Sequence, residues 1–300
     1  MSAAVQERKP VVSAESHELE ARHFWGKAFE YLCQGAIWVC IAFLVFLIGA
    51  TLWKGIGVVD WQFISSLPSR SPERSGILPA LVGSAWLLGL TAIFAVPTGI
   101  ATAVFLEEYA PNTWWVAVIR TNIANLAGVP SIVYGMLGLG LFARFLAFGP
   151  TILSASLTLS LVVLPVIIIA AQEALRAVPV SLRNASYALG ATRWQTIWHQ
   201  VLPSAIPGIM TGVILALSRA VGEAAPLVTI GVAGYMTFVP ANITDRYAAL
   251  PLLIFQWTSK NDEGFFDCAA GAIIVLLLLL LCMNAVAIFI RYRYSQGGKS

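Results

Sequence analysis

The chain has 300 residues, of which 58% are hydrophobic and only 11% charged, with a net charge of +3. Soluble domains carry about a quarter charged residues, so a water-soluble fold of this length has too few charges to cover its surface, and hydrocarbon is the solvent that suits it. The small, scattered positive charge gives no basis for nucleic-acid binding, which takes Lys and Arg gathered on one face.

Residues 1–30 are polar and of mixed charge. They contain no short apolar core followed by a small-residue cleavage site, so they read as a cytoplasmic segment and not as a cleaved signal peptide. A helix needs about 20 mostly apolar residues to cross the hydrocarbon. Six segments qualify: 31–52, a stretch within 77–106, 116–143, 151–172, 206–232 and 268–290. Pro97, Pro130, Gly135, Pro165 and Pro226 lie inside them. Such residues break helices in water, but a bundle of neighbours can satisfy the freed backbone groups. They point to kinked helices around a path. The expected architecture is all-α and polytopic, with a six-span domain over 31–290 and a short tail at 291–300.

Lys and Arg in the loops set the orientation of such a chain. With six spans both termini share a side, and eleven Lys and Arg fall on that side against six on the other. This places both termini in the cytoplasm. The loop 173–205 is then cytoplasmic and reads as two short helices joined at Gly190. The outer segment 233–267 contains an apolar stretch, 248–257, too short to span and expected to be interfacial or re-entrant. The loop 65–75 is rich in Ser, Pro and Arg and is expected to be flexible. Cys33, Cys40, Cys268 and Cys282 sit in apolar runs with no CxxC pair, and read as buried, unreactive small hydrophobes. There is no clear internal repeat to support an inverted-repeat carrier.

Two features can carry function. The first is the cytoplasmic loop, with Arg183-Asn184-Ala185-Ser186-Tyr187-Ala188-Leu189-Gly190 and then Leu202-Pro203. A short amphipathic helix bent at a glycine is a compact knob that can dock in a partner's cleft, although a solvated connector has the same composition. The second is Arg219 and Glu223 in the fifth span. A charge inside the membrane is costly unless it is paired or faces water, and residues four apart share a helix face. The pair is a candidate anion contact, since guanidinium suits phosphate oxygens, or else a structural ion pair. Asn122 and Asn125 in the third span are further candidates to face the path.

The loop resembles the coupling loop of ABC importer permeases, which carries Glu-Ala-Ala, then glycine, then Leu-Pro at this spacing. Ala185, Gly190, Leu202 and Pro203 match, whereas Asn184, Ser186 and Gln200 depart from the pattern. The run Arg219-Ala220-Val221-Gly222-Glu223 and the run Gly128-Val129-Pro130-Ser131-Ile132-Val133-Tyr134-Gly135 are similar to stretches of phosphate-importer permeases. Ala225-Pro226-Leu227 and Ala249-Leu250-Pro251-Leu252 favour the A-type subunit. The resemblance covers roughly 75–290. It implies a type I importer fold in the cell inner membrane and a translocation path near Arg219. It also implies partners: a second, C-type permease subunit, two ATP-binding subunits and an external phosphate-binding protein.

No cofactor is expected on this chain, with ATP held by the partner subunits. Gly297-Gly298-Lys299-Ser300 lacks the earlier glycine and the following helix of a nucleotide-binding loop. A secondary carrier needs several intramembrane acids or histidines, and Glu223 alone is available. A membrane enzyme needs a nucleophile, acid–base set or metal cluster, and His17, His23 and His199 are scattered.

Overall fold

The computed structural model describes residues 12–231 and 236–296, and among them every regular element is helical. Residues 1–11, the expected end of the fifth span at Val232 and the motif at 297–300 lie outside the described residues. The chain divides into two units, 1–53 and 54–300. The first is built on α1 (Val12–Gly55), whose stretch Trp25–Gly55 is long and apolar enough to cross a membrane.

The second unit holds α2 (Trp61–Ser65), α3 (Leu78–Val104), α4 (Trp114–Ala127), α5 (Ser131–Gly138), α6 (Ile152–Arg176), α7 (Val180–Ala188), α8 (Arg193–Thr196), α9 (Leu202–Gly222), α10 (Ala225–Ile230), α11 (Leu250–Thr258) and α12 (Glu263–Gln296). π-helical turns extend α3 over Phe105–Tyr109, extend α5 over Leu139–Phe145 and join α8 to α9 over Ile197–Val201. By length and composition five helices can cross a membrane, or six if the bent pair α4–α5 counts as one span.

That bent pair occupies the expected third span. The helix bends by 102° between Ala127 and Ser131. Pro130 disfavours helical backbone at Val129, and Gly128 ends α4. The break is re-satisfied locally: the Tyr134 hydroxyl donates to the Leu126 carbonyl at 2.8 Å. The fifth span is corrected at both ends. It begins earlier, because Arg193–Gly222 is one continuous helix, and it stops at Gly222, because Glu223 has extended backbone. The cysteines divide: Cys268 is buried, whereas Cys40 and Cys282 are exposed. Spanning helices turn apolar residues outward as well as inward, so an apolar run does not imply burial in the chain itself.

α6 is the central strut, buried over most of its length between α3 and α9. Helices in lipid gain little from hydrophobic association and depend on close packing of small residues. Gly208 and Gly212 of α9 lie against Ala174 and Ala170 of α6, and a Cβ on either glycine would collide with the alanine methyl. Gly99 of α3 meets Ile167 of α6 in the same way. The Thr91 hydroxyl ties α3 to the Ser156 carbonyl of α6.

At the end opposite α7, the chain between α10 and α12 folds back onto the bundle. Ile152 and Leu153, at the first turn of α6, donate their N–H groups to the Asp245 and Ile243 carbonyls at 3.0 and 2.9 Å. The Asp245 carboxylate accepts from the backbone N–H groups of Asn242 and Ala241, which hold its pKa below the usual carboxylate range. Tyr247 is buried and donates to the Leu227 carbonyl at 3.0 Å; burial pushes its phenol pKa up. The apolar stretch 248–257, expected to be interfacial or re-entrant, becomes α11, packed against α3 and α12. Its Trp257 ring lies 6.1 Å from both Phe63 and Phe265, and the Leu250 N–H donates to Ser84 Oγ at 2.8 Å.

Gly83 sits where a Cβ would meet the Ala248 carbonyl oxygen, whereas Gly89, on the same helix, faces open space. Overpacking a fitted contact costs about 1–3 kcal/mol, while Gly to Ala in an open helix position is favourable by about 1 kcal/mol. Thermal unfolding of the purified protein in detergent should therefore show a lowered midpoint for Gly83→Ala and an unchanged or raised one for Gly89→Ala.

Candidate functional site

The connection from α6 to α9 carries the first group of predicted residues. It is more helical than a loop over 173–205. Residues 173–176 complete α6, and everything from Arg193 onward belongs to the long helix. The reversal itself is made between α7 and α8. Leu189 N–H donates to the Ala185 and Ser186 carbonyls, and Gly190 N–H to Tyr187 at 2.9 Å. Gly190 adopts φ +81°, a left-handed conformation that glycine reaches without a Cβ penalty. Thr192 then caps α8 in a reciprocal capping box with Gln195, and Ser186 Oγ meets the fully buried Thr196 Oγ1 at 2.9 Å.

Within that turn Ala185 and Gly190 are exposed, as is Leu189 at 89%. The reversal thus presents a projecting knob. Leu202 and Pro203 are not part of it. They lie on the continuous helix, just after the π turn Ile197–Val201. Pro203 has no N–H to continue the ordinary ladder, and a π turn directly before it provides the longer-range pairing that accommodates the gap.

Arg219 and Glu223 form the expected pair, with Arg219 Nε 3.1 Å from Glu223 Oε1. The geometry behind it differs from a plain helix face. α9 ends at Gly222, Glu223 is its C-cap, and α10 starts two residues later at Ala225. The guanidinium therefore lies in the last turn of a helix, where cations are favoured by the helix dipole. Its side chain is 55% exposed, against 17% for Glu223. An arginine so open on a spanning helix has to face water or another chain, because lipid cannot solvate it. Beside it, Ser218 Oγ donates to Asn284 Oδ1 at 2.6 Å, and one turn and more further back Arg291 donates to Thr211 Oγ1 at 3.0 Å. These contacts hold α12 against α9.

Asn122 and Asn125 are exposed on α4. Asn122 Nδ2 donates to the Val118 carbonyl at 2.8 Å, and the Asn125 backbone carbonyl accepts from Gly128 N–H. Among the described residues neither is bonded to Arg219 or Glu223. The described residues contain no group of three His, Cys, Asp or Glu placed to hold a metal ion.

The structure adds a cluster that residue spacing did not reveal. Glu107 and Glu108, on the π turn after α3, meet Arg120 of α4, Arg176 of α6 and Arg183 of α7. Glu107 and Glu108 are neighbours in an apolar-to-polar transition, a pattern that by itself signals only a span's end. Their partners lie 13 to 75 positions away, counting from Glu107 to Arg120 and from Glu108 to Arg183.

Residues 95–297 match the family model described as "Binding-protein-dependent transport system inner membrane component". The chain is 39% identical over 205 residues to a probable ABC transporter permease protein, YqgI, of Bacillus subtilis, covering 67% of this chain and 70% of that one. It is 35% identical over 255 residues to the phosphate transport system permease protein PstA 1 of Mycobacterium tuberculosis, covering 84% and 83%. Among solved structures, a chain of a bacterial alginate ABC transporter, determined in complex with an alginate-bound periplasmic protein, superposes with a TM-score of 0.62 at 15% identity, covering 91% of this chain and 96% of that one. At that identity the likeness is one of fold.

The turn at Gly190 can be tested directly. A β-branched residue at φ +81° is strained by about 1–2 kcal/mol, while asparagine tolerates that region. In limited proteolysis of the detergent-solubilised protein, Gly190→Val should be cut faster within 177–192 than the wild type, and Gly190→Asn should be cut at the wild-type rate.

Proposed function

The chain belongs to the family of binding-protein-dependent transport system inner membrane components, and we propose that it is the A-type permease subunit of an ATP-driven phosphate importer. It is a multi-pass inner-membrane transport subunit and not itself an enzyme. The observation that carries the choice of phosphate is the 35% identity to a phosphate permease over 84% of the chain.

In this reading the chain pairs in the bilayer with a second, C-type permease subunit. Two ATP-binding subunits lie beneath the pair, and a phosphate-binding protein docks outside. Both termini are cytoplasmic, in keeping with the Lys and Arg bias of the loops. ATP is held and hydrolysed by the partner subunits, and this chain binds no cofactor. The knob at Ala185 to Gly190 seats in an ATPase subunit. Because α8 runs without interruption into α9, a displacement of the knob acts on a stiff helix whose far end holds Arg219.

Arg219 then meets the anion. Its planar guanidinium offers paired donors to phosphate oxygens. Glu223 offsets part of its charge, so the anion is bound weakly enough to leave. The half-open guanidinium beside a helix break supports this role over a purely internal ion pair.

Two measurements test the reading. A lost charge-assisted contact corresponds to about a 10- to 100-fold effect, so Arg219→Ala should lower ATP-dependent phosphate uptake by that order while the partner subunits still co-purify; normal uptake removes Arg219 from the path. Reconstituted alone in liposomes, the chain should not concentrate phosphate, and accumulation without the other chains would end the subunit reading.

A further inference from the structure

We propose that the π turn Phe105–Tyr109 at the end of α3 is the joint through which α7 moves the rest of the bundle, with Glu108–Arg183 as its positioning contact. This rests on the transport reading above, and deepens it by naming a second point, besides the continuous helix of α8 and α9, where the motion enters the spans.

Four observations lead there. First, no side chain of α7 is fully buried, and its apolar anchor is the partly buried Leu182 at the edge of the core. The other firm attachments are polar: Ser186 on Thr196, and Arg183. Second, Arg183 is mostly buried and fully engaged. Its Nη2 lies 2.8 Å from Glu108 Oε1 and 2.9 Å from the Leu175 carbonyl, and its Nη1 lies 2.7 Å from the Val178 carbonyl. One guanidinium therefore ties α7 both to the exit of α6 and to α3.

Third, the wider coil of the π turn lets two consecutive carboxylates turn inward. Side chains one position apart diverge by about 100° in an ordinary helix. Here Glu107 and Glu108 are only 10% and 9% exposed. While Glu108 takes α7, Glu107 takes Arg176 of α6 in a two-pronged contact, Nε to Oε2 at 3.0 Å and Nη2 to Oε1 at 2.8 Å, and also Arg120 of α4 at 3.6 Å. Arg120 in turn donates to the Leu106 carbonyl at 2.5 Å. Fourth, the charges balance: Arg120, Arg176 and Arg183 face Glu107, Glu108 and Glu173. Each of these carboxylates faces a guanidinium, and Arg193 of α8 lies over the Tyr109 ring of the same π turn, 5.3 Å from its centre, so the cluster works as a connector. It joins α3, α4, α6 and α7 in one contact, which α7 reaches through Arg183.

The experiment uses the full complex reconstituted in liposomes, with wild type, Glu108→Gln and Arg183→Lys. The first readout is amide hydrogen exchange over 105–127 on adding a non-hydrolysable ATP analogue. The wild type should show a change in protection there, and both variants should lose it. The second readout is phosphate moved per ATP hydrolysed, which should fall about tenfold or more in Glu108→Gln, since it leaves a buried guanidinium uncompensated, while hydrolysis continues. Glu73→Gln, at an exposed position of the turn Pro72–Arg74 outside the cluster, should match the wild type in both. Should Glu108→Gln fail to assemble, Arg183→Lys decides, because it keeps the charge opposite Glu108 but cannot reach both carbonyls. The proposal is overturned if the exchange response survives in the variants, or if uptake and hydrolysis fall in step. A wild type whose 105–127 segment responds to nucleotide but which moves no phosphate would instead overturn the choice of cargo and leave the joint standing.

Discussion

Gly208 and Gly212 of α9 rest on Ala174 and Ala170 of α6, so closely that no side chain fits between them. In lipid this is the kind of contact that binds helices, because apolar side chains gain nothing by leaving a solvent as apolar as themselves. Its consequences run in both directions along the two helices. Toward one end it brings the last turn of α6 and the start of the long helix together, so that the reversal at Gly190 has to project as a knob. Toward the other it sets the register of α9, and with it the places of Ser218 against Asn284 and of Arg219 against Glu223. The candidate coupling element and the candidate anion contact are thus two ends of one packed pair.

Around that pair the chain breaks its helices where breaks have uses. Each break is repaired locally, as a bilayer demands of any backbone polar group within it. At the 102° bend the Leu126 carbonyl accepts from the Val129 N–H and from the Tyr134 hydroxyl. Thr229 donates to the Pro226 carbonyl in α10, and Tyr247 reaches the Leu227 carbonyl from the neighbouring loop. The π turns serve the same end. One precedes Pro203 and absorbs its missing N–H, and another turns two adjacent carboxylates into the cluster at the end of α3. Prolines and glycines that would weaken a soluble helix here shape the bundle.

Much of this was legible in the residues. Uninterrupted apolar length identified α1, α3, α6 and α12 as spans, and the glycine before Leu-Pro located the reversal. A charge four positions from its opposite, inside an apolar run, pointed to the pair that forms. The misjudged features have a common cause. Hydropathy measures whether a segment tolerates lipid, and not how far it bends, so 116–143 reads as a kinked span and the 102° size of its break does not follow from it. Nor does hydropathy say which neighbour a side chain meets, so Cys40 and Cys282 were expected to be buried and are exposed.

What the sequence by itself determined is the solvent, the number of apolar segments and the local chemistry of each turn. These depend on composition and on contacts within a few residues. Only the tertiary structure decided that Glu108 receives Arg183 from 75 positions away, that this pair helps hold the knob, and that the helix carrying Arg219 begins back at Arg193. Such facts rest on how close two helices approach, and that distance is set by glycine and alanine packing across the bundle, which no single segment encodes.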